Sequence, residues 1–447
     1  MNQELQEIAQ RVVALARGKG ADDAECTISE GQEFSVSVRM GEIETLKEAG
    51  SRGAGVRVLI GKRVGSSYTS DLTEEGLRHM VSSAIELAGL TSEDPAAGLP
   101  EDADFGTISG DLKLYSAETL PPADRIRLAK ECEAAALGAD ARIVNSEGAG
   151  FGAYSGARYF ANSRGFSGAY RSSSCSISVM PVAKEGESME RDFWYSIGRD
   201  YKGLESAEYV GKKAAERALR RLGSRKAPTQ KAPIVFDPRT ARSLLGCVFE
   251  AIAGDSVYRK ATFLVDKLGE KIASENFTVI DDATIPGLFG TQPFDDEGVA
   301  SRRTVVVEKG VLKSYLLNSY TARKLGMKTT GNASRGITGN PSVGHGNFYL
   351  EQGTMTPEQM IRSVRNGFYV TELIGSGINI VTGDYSQGAA GIWIENGELT
   401  YPVSEVTIAG NLIEMLNNVE AIASDLEFRG SMASPTILIG EMMVSGK

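Results

Sequence analysis

The side chains that usually carry metal or nucleophilic chemistry are scarce in this sequence. Its 447 residues include two histidines, His79 and His345. Four cysteines are scattered along the chain without a C-x-x-C pair: Cys26, Cys132, Cys175 and Cys247. Imidazole and thiolate are the groups that titrate near neutral pH or bind zinc. The composition therefore predicts that this chain does not build a complete metal site or histidine-based catalytic set alone. It favours a partner subunit or a binding scaffold.

Patterns for serine hydrolases and nucleotide binding are not met. Ser163, Ser334 and Ser386 are each followed two residues later by glycine, but none has glycine two residues before it. The G-x-S-x-G nucleophile elbow is therefore missing. Neither the P-loop pattern nor G-x-G-x-x-G between a strand and a helix occurs. Tight turns explain these glycines and serines more simply.

Acidic clusters offer a third kind of chemistry. Asp281-Asp282 and Asp295-Asp296-Glu297 carry ligands that hard cations use, but neither cluster has EF-hand spacing. We expect both to be solvated loops. His345 lies between two glycines and is expected to be structural or solvent-facing, and His79 is expected on a helix surface.

The charge balance argues against direct nucleic-acid binding. The chain has 48 basic and 58 acidic residues, a net charge of −10. Affinity for nucleic acids needs basic surfaces that displace phosphate counterions. The first residues do not resemble a signal peptide, and no apolar run reaches the roughly 20 residues of a membrane helix. We therefore expect a cytoplasmic protein without a membrane segment.

Local patterns predict both helices and strands. Residues 3–18 have helical apolar spacing, Thr73 and Asp237 are placed to cap helices, and Thr356–Gln359 forms a capping box. Strands are predicted at 42–47, 55–60, 64–69 and through 142–198, with hairpins at 305–312 and around Asn396-Gly397.

These elements predict an α+β fold. N-terminal helices should pack on a sheet, and the C-terminal domain should be mainly curved antiparallel β-sheet. Loops rich in turn residues suggest three parts: an N-terminal α+β domain at 1–115, a middle α+β segment at 116–227 that packs with it, and a β-rich C-terminal domain at 228–447.

Several stretches together resemble the TldD/PmbA family, and within it the PmbA (TldE) branch. The C-terminal block is long and specific, whereas the first 110 residues match only in general layout. The stretches are Asn162–Phe166, Pro293–Gly298, Thr330–Ala333, Thr382–Gly391, Trp393–Glu398 and Tyr401–Leu412.

The resemblance implies a cytoplasmic bacterial protease built from two related subunits, TldD and TldE/PmbA. The family is linked to microcin processing, to antitoxin degradation and to modulation of DNA gyrase. In TldD-type chains a helix carries His-Glu-x-x-x-His, and a C-terminal cysteine completes the zinc site. The glutamate acts as general base on a zinc-polarised water.

This sequence departs from that zinc motif. Leu245 and Glu250 stand where the two histidines would be, Gly246 stands where the glutamate would be, and no cysteine follows Cys247. The resemblance therefore implies no catalytic residue, no metal ligand and no cofactor in this chain. Zinc is expected in a TldD-type partner.

The expected function is that of a PmbA/TldE-like subunit of a two-chain zinc metalloprotease that acts on unfolded peptides. The chain alone is expected to be inactive and to form a homodimer. An extended peptide would pair with an exposed strand edge by β-augmentation. Candidate peptide contacts are Asn332, Asp384 and Ser386.

Two other functions stay open. The chain could be a non-enzymatic regulatory protein that binds gyrase or a toxin–antitoxin pair. It could also be an independent hydrolase that uses acidic residues and another metal, which a metal bound at 295–297 would support.

Overall fold

The computed structural model describes residues 2–446. The α-helices are α1 (Gln3–Gly18), α2 (Glu74–Leu90), α3 (Pro122–Leu137), α4 (Ala207–Leu219), α5 (Pro238–Ile252), α6 (Gly254–Tyr258), α7 (Ser319–Leu325), α8 (Pro357–Ser363) and α9 (Leu412–Asn417). Short 3₁₀ turns lie at Asp102–Asp104 and Tyr201–Gly203.

The strands fall into an N-terminal and a C-terminal group. The first group is β1 (Asp23–Arg39), β2 (Glu42–Ile60), β3 (Arg63–Thr69), β4 (Ile143–Asn162), β5 (Ser167–Glu185), β6 (Ser188–Arg191) and β7 (Trp194–Gly198). The second is β8 (Gln230–Phe236), β9 (Val279–Asp282), β10 (Arg303–Glu308), β11 (Val311–Leu312), β12 (Ala333–Ser334), β13 (Ser342–Val343), β14 (Phe348–Leu350), β15 (Asn366–Asn379), β16 (Asp384–Glu395), β17 (Glu398–Asn411), β18 (Val419–Ile422), β19 (Met432–Ala433) and β20 (Ile437–Ser445).

The N-terminal strands form one antiparallel sheet in the order β3-β2-β1-β4-β5-β6, with β7 also paired to β5. Helices α1 and α2 cover one half of a face, where they bury Cys26 and Ile28 of β1. Helices α3 and α4 cover the other half, over Phe34 and Val36. These β1 residues are an even number of positions apart and therefore share a face. The predicted helices on a sheet are confirmed.

The C-terminal strands form a closed, curved sheet in the order β17-β16-β15-β8-β20, and β17 pairs with β20 to complete the circle. Helix α5 contributes Leu244, Leu245 and Val248 to the large core against this sheet. A second sheet, β11-β10-β9-β14-β19, packs beside it, and β12 and β13 form a small hairpin. The predicted α+β fold is confirmed.

Two details differ from the sequence-based expectation. Strand β8 runs parallel to β15. Residues 237–365 form the long crossover connection that a parallel pair requires. The segment 42–60 is one strand, although separate strands were predicted at 42–47 and 55–60. Its ladder with β1 continues through Gly53 and Gly55.

The predicted caps and turn are present. Thr73 accepts a hydrogen bond from the Gly76 amide at the start of α2, and Thr356 with Gln359 forms the capping box of α8. Asn396 and Gly397 both have positive φ in the turn between β16 and β17. These local features follow from short-range chemistry.

The N-terminal sheet continues past the boundary predicted at residue 115, because β1 pairs with β4 along Glu25–Val38. The three-part division stays a prediction. In residues 2–446, no helix has the length and apolar composition that a membrane crossing requires.

Candidate functional site

Helix α5 carries Leu245, Gly246 and Glu250, which stand at the positions of the zinc motif. The three positions lie in three different surroundings. Leu245 is 2% exposed and lies in the C-terminal core. A Cβ atom on Gly246 would lie 4.0 Å from the Sδ atom of Met432 on β19. Glu250, near the end of the helix, is exposed. Leu245 and Gly246 have no side-chain atom that could bind a metal.

His345 packs against the same helix. Its ring centroid lies 4.8 Å from that of Phe249 in an edge-to-face contact and 5.8 Å from that of Phe348. Its Nδ1 atom lies 2.8 Å from the carbonyl oxygen of Gly346. The imidazole is half-buried among aromatic rings, which agrees with a structural role. His79 is exposed on α2, as expected.

Glu250 lines a cleft of about 700 Å³ between the N-terminal and C-terminal parts of the molecule. One wall comes from β2 and the loops around α2, and the other from α5, α6, α7 and the loop before β13. Its charged and aromatic lining residues are Arg57, Lys62, Asp94, Glu250, Asp255, Tyr258, Arg259 and Tyr320.

A tyrosine pair forms the aromatic part of the cleft. The rings of Tyr258 and Tyr320 meet edge-to-face with centroids 5.9 Å apart. The Tyr320 hydroxyl donates to Oδ2 of Asp94 at 2.7 Å, and burial together with this bond raises the pKa of Tyr320 to about 12. The hydrogen bond from Lys324 lowers the pKa of Asp94 to about 2. Asp94 therefore stays ionised and ties the two walls together.

The carboxylates of Glu250 on α5 and Asp255 on α6 differ in their hydrogen bonding. Asp255 accepts a hydrogen bond from the Val343 amide at 3.0 Å and so holds β13 at the rim. The Glu250 side chain forms no ion pair or hydrogen bond with any residue of 2–446. The cleft thus combines an aromatic surface, a free carboxylate and a polar rim, which suits an extended chain better than a small ion.

The donor set around α5 does not fit a zinc ion, because zinc needs three or four convergent nitrogen, sulfur or carboxylate ligands. Leu245 and Gly246 supply none. Across residues 2–446, no cluster of three or more histidine, cysteine, aspartate or glutamate side chains is arranged to hold a metal. That this chain carries no zinc of its own stays a prediction.

The cysteines are not poised as nucleophiles. All four are buried and free. Burial raises the pKa of Cys26, Cys132 and Cys175 to about 12, and that of Cys247 to about 11. A thiol with such a pKa is protonated at neutral pH and is a poor nucleophile.

The expectation that both acidic clusters are solvated loops is wrong. Asp281 and Asp295 are 2% and 0% exposed, and Glu297 is 1% exposed. Asp295 accepts hydrogen bonds from the backbone amides of Glu297, Val299 and Ala333, each at 2.9 Å. These donors come from folded backbone and take the place of water at the Asp295 carboxylate.

Asn332 has an internal role in the structure. Its amide nitrogen donates to Oδ2 of Asp281 at 2.7 Å and to the carbonyl of Gly344 at 3.2 Å, while its oxygen accepts from the Thr330 hydroxyl. The side chain is 6% exposed. Its predicted contact with peptide stays a prediction.

Asp384 and Ser386 lie on β16 and are exposed. Both residues are paired on one side with β15 and on the other with β17. No main-chain edge is free at these positions, so β-augmentation on this part of β16 is excluded. Peptide contact by the two side chains stays a prediction.

The Asp281 carboxyl gives a testable pH dependence. Burial raises its pKa to about 6, despite hydrogen bonds from Asn332 and Gly346 that favour the charged form. The folded state therefore holds this proton more tightly than the unfolded state. The protonated Asp281 carboxyl stabilises the fold fully when the pH is below the pKa that Asp281 has in the unfolded chain. This stabilisation is lost as the pH rises through the folded-state pKa of about 6.

Asp281→Asn is therefore expected to remove this loss. The unfolding free energy of the variant minus that of the parent should rise by about 2–3 kcal/mol between pH 4 and pH 7, since each pKa unit is worth about 1.4 kcal/mol. Urea denaturation at several pH values measures the difference, and a constant offset at all pH values does not affect it. Asp384→Asn at an exposed position is the control. Parallel curves for Asp281→Asn and its parent would rule out the raised pKa.

Sequence reasoning missed the cleft as a site. Tyr258, Tyr320 and Asp94 come from segments far apart in the chain, and no short motif joins them. Only the resemblance of α5 to a zinc-bearing helix pointed to this region.

Three family models cover most of the chain. The model described as PmbA/TldA metallopeptidase domain 1 matches residues 24–88, the central domain matches 115–222, and the C-terminal domain matches 229–446.

Similar proteins span the full length. The metalloprotease PmbA of Escherichia coli O157:H7 is 40% identical over 99% of this chain and 96% of its own length. A PmbA homolog of Haemophilus influenzae is 36% identical over 99% of this chain and 96% of its own. A solved structure from Bacteroides thetaiotaomicron, described as a proposed modulator of DNA gyrase, has a TM-score of 0.93 with 31% identity and covers all of both chains.

Proposed function

Since this chain belongs to the PmbA/TldA metallopeptidase family, we propose that it is the PmbA/TldE-type subunit of a two-chain zinc metalloprotease. Its TldD-type partner holds the zinc, and the complex cleaves unfolded peptides in the cytoplasm. This chain contributes part of the surface that grips the peptide and has no catalytic residue of its own.

The arrangement on α5 carries this proposal. At the positions of the partner's zinc motif, Leu245 fills the core, Gly246 faces Met432, and Glu250 points into the cleft. A buried leucine in place of a histidine supports packing as the role of this helix, because a zinc ligand must reach the metal with a lone pair. The proteolytic water therefore belongs in the partner's site.

The cleft supports the peptide-gripping role. It has the volume of a small-molecule or short-peptide site, an aromatic pair and a free carboxylate. Tyrosine anchors give large contact area at low entropic cost. Main-chain contacts would allow the cleft to accept peptides of different sequences. Asn332, Asp384 and Ser386 stay candidate polar contacts elsewhere on this domain.

Tyr258→Ala in the assembled two-chain complex is expected to weaken binding of an unfolded peptide about tenfold, as loss of a tyrosine anchor commonly does. Fluorescence anisotropy with a fluorescein-labelled peptide measures the change. Tyr209→Ala removes an exposed tyrosine on α4, outside the cleft lining, and serves as the control. Equal affinities for both variants would place the peptide elsewhere.

A pull-down from the native host tests the assembly. The tagged full chain is expected to retain a TldD-type chain that carries His-Glu-x-x-x-His, together with its zinc. Recovery of the chain without such a protein, in a host that encodes one, would contradict the two-chain proposal.

A regulatory function without catalysis is the second candidate. The Bacteroides structure that this fold matches with a TM-score of 0.93 is described as a proposed modulator of DNA gyrase. Retention of gyrase subunits or of a toxin–antitoxin pair in the same pull-down, without a TldD-type chain, would favour it.

A further inference from the structure

A groove crosses the face of the N-terminal sheet on which the helices pack. Helices α1 and α2 bury a row of paired residues that includes Ile28 and Tyr159. Helices α3 and α4 bury another row that includes Phe34 and Cys175. Two further rows lie between these apolar cores and line a groove of about 450 Å³. The side chains of these two rows decide what the groove can bind.

The row next to the core of α1 and α2 has an arginine at each end. Arg52 of β2 pairs with Glu30 of β1. Glu30 pairs on its other side with Ala157 of β4, which in turn pairs with Arg171 of β5. Glu30 is two residues from the buried Ile28, so its side chain and those of its paired neighbours lie on the helix-covered face. The two arginines therefore border the same groove.

Both guanidinium groups are available to a ligand. Arg52 and Arg171 are exposed, and neither guanidinium forms an ion pair or hydrogen bond with a residue of the described range 2–446. The Arg171 guanidinium lies 3.7 Å from the ring centroid of Tyr115, a contact that holds it at the end of the groove. A guanidinium presents its N–H donors in a planar fork that matches a carboxylate. Each arginine can therefore bind one acidic side chain.

The floor between the arginines offers polar contacts and one carboxylate. The second row contains Gly50, Gln32 and Ser155. The Gln32 and Ser155 side chains form no hydrogen bond within residues 2–446, so they can bond to the main chain of a ligand. The Glu30 carboxylate accepts a hydrogen bond from the Tyr159 hydroxyl at 3.1 Å. The groove thus has a cation at each end and an anion between them.

We propose that this groove binds an extended peptide segment with acidic side chains at its first and fifth positions. Three strand intervals of about 4.8 Å separate Arg52 from Arg171, a span of about 14 Å. Four residues of an extended chain cover about the same distance, at about 3.4 Å per residue. The first, third and fifth side chains of such a segment point to one side, here toward the floor. Each acidic side chain therefore meets one arginine.

The centre of the groove selects the third residue of the segment. Its side chain lies between Glu30 and Ala157, where the small alanine leaves room. A lysine at this position meets the Glu30 carboxylate, whereas a third acidic side chain is repelled by it. The segment that fits best therefore alternates acidic, basic and acidic side chains. This alternation separates recognition by the groove from a general attraction of anions.

This inference goes beyond the proposed function, because the groove and the cleft lie on opposite faces of the sheet. Glu25 and Glu30 are an odd number of residues apart on β1, so their side chains point to opposite faces. Glu25 binds Arg57, which lines the cleft, and Arg335 of the C-terminal part. The groove is therefore a second peptide site, on the helix-covered side of the N-terminal sheet.

Two fluorescein-labelled peptides of identical composition test the spacing. Both carry flanking Gly-Ser repeats around a core of five residues, Glu-Ser-Lys-Ser-Glu in one and Ser-Glu-Lys-Glu-Ser in the other. Only the first core places its carboxylates far enough apart to reach both arginines. Fluorescence anisotropy with the purified full chain is expected to show about fivefold tighter binding of the first peptide, the effect of one additional exposed ion pair.

Three variants assign the effect to the groove. Arg52→Gln and Arg171→Gln should each abolish the preference for the first peptide, and both residues are exposed, so neither change should unfold the chain. Arg362→Gln, at an exposed position on α8, is the matched control and should keep the preference. Glu30→Gln should remove the advantage that lysine has over serine at the third position of the core.

A spacing preference that both groove arginines are needed for supports the proposal. Equal affinity of the parent chain for the two peptides, a preference that survives Arg171→Gln, or binding of inorganic phosphate without binding of either peptide would each overturn it. The measurement needs neither cleavage nor a partner subunit. Failure of the pull-down to recover a TldD-type partner would leave these results unchanged, so the two proposals fail separately.

Discussion

Arg335→Ala is expected to lower the free energy of unfolding by about 3 kcal/mol, because it breaks one of the two buried ion pairs that Glu25 forms. Arg335 reaches from the β12–β13 hairpin into the N-terminal sheet, where its guanidinium binds the Glu25 carboxylate. Glu25 is 0% exposed and also binds Arg57 at 2.6 Å. Burial alone would raise the pKa of Glu25, but the two arginines hold it below its usual value.

Two further variants separate charge from packing. Arg142→Ala breaks a solvent-screened pair with Asp140 and should cost far less. Arg335→Met keeps most of the side-chain volume without the charge, and should cost nearly as much as Arg335→Ala if the lost ion pair is the cause. Urea denaturation compares the three. If Arg335→Ala costs no more than Arg142→Ala, the buried pair does not hold the two parts of the molecule together.

Gly55→Ala is expected to detach the same hairpin from the sheet and to destabilise the protein by about 3 kcal/mol, as overpacking against backbone does. A Cβ atom at Gly55 would lie 1.4 Å from the carbonyl oxygen of Ile337. Backbone cannot rotate away as a flexible side chain can, so the hairpin must move. Trypsin should then cut rapidly after Arg335, which is 8% exposed in the parent.

Gly50→Ala is the matched control on the same strand. The atom nearest to a Cβ at Gly50 is 4.0 Å away, and the position is exposed. This variant should change stability by less than about 1 kcal/mol and leave Arg335 protected. Equal trypsin rates for Gly55→Ala and Gly50→Ala would show that the close contact does not fix the hairpin.

Both variants matter for function because the hairpin loop forms part of the cleft rim. Asn340, Pro341 and Ser342 lie in the cleft lining next to Asp255. Movement of this loop changes the distance between the walls that carry Tyr258 and Arg57. Peptide affinity should therefore fall together with hairpin docking.

Local features of the fold were predictable because they depend on neighbours in sequence. The Thr73 cap, the Thr356–Gln359 capping box and the Asn396-Gly397 turn each satisfy backbone groups within a few residues. The continuity of β2 through Gly55 was not predictable. A glycine is needed at position 55 because the Ile337 carbonyl, from a segment distant in the sequence, lies where a Cβ atom would be.

The site was predictable only in part for the same reason. The resemblance located α5 and the changed positions Leu245, Gly246 and Glu250. The burial of Asp295 and Glu297 depends on backbone amides and on Arg57, which come from distant segments. Acidic residues in a turn look solvated until those partners are known.

Metal content and peptide cleavage of the purified chain test the proposed role most directly. We expect the chain alone to contain far less than one zinc per molecule and to leave an unfolded peptide intact, whereas a mixture with the TldD-type partner should cleave it. One tightly bound zinc per isolated chain, with cleavage that needs no partner, would contradict the proposed division of labour.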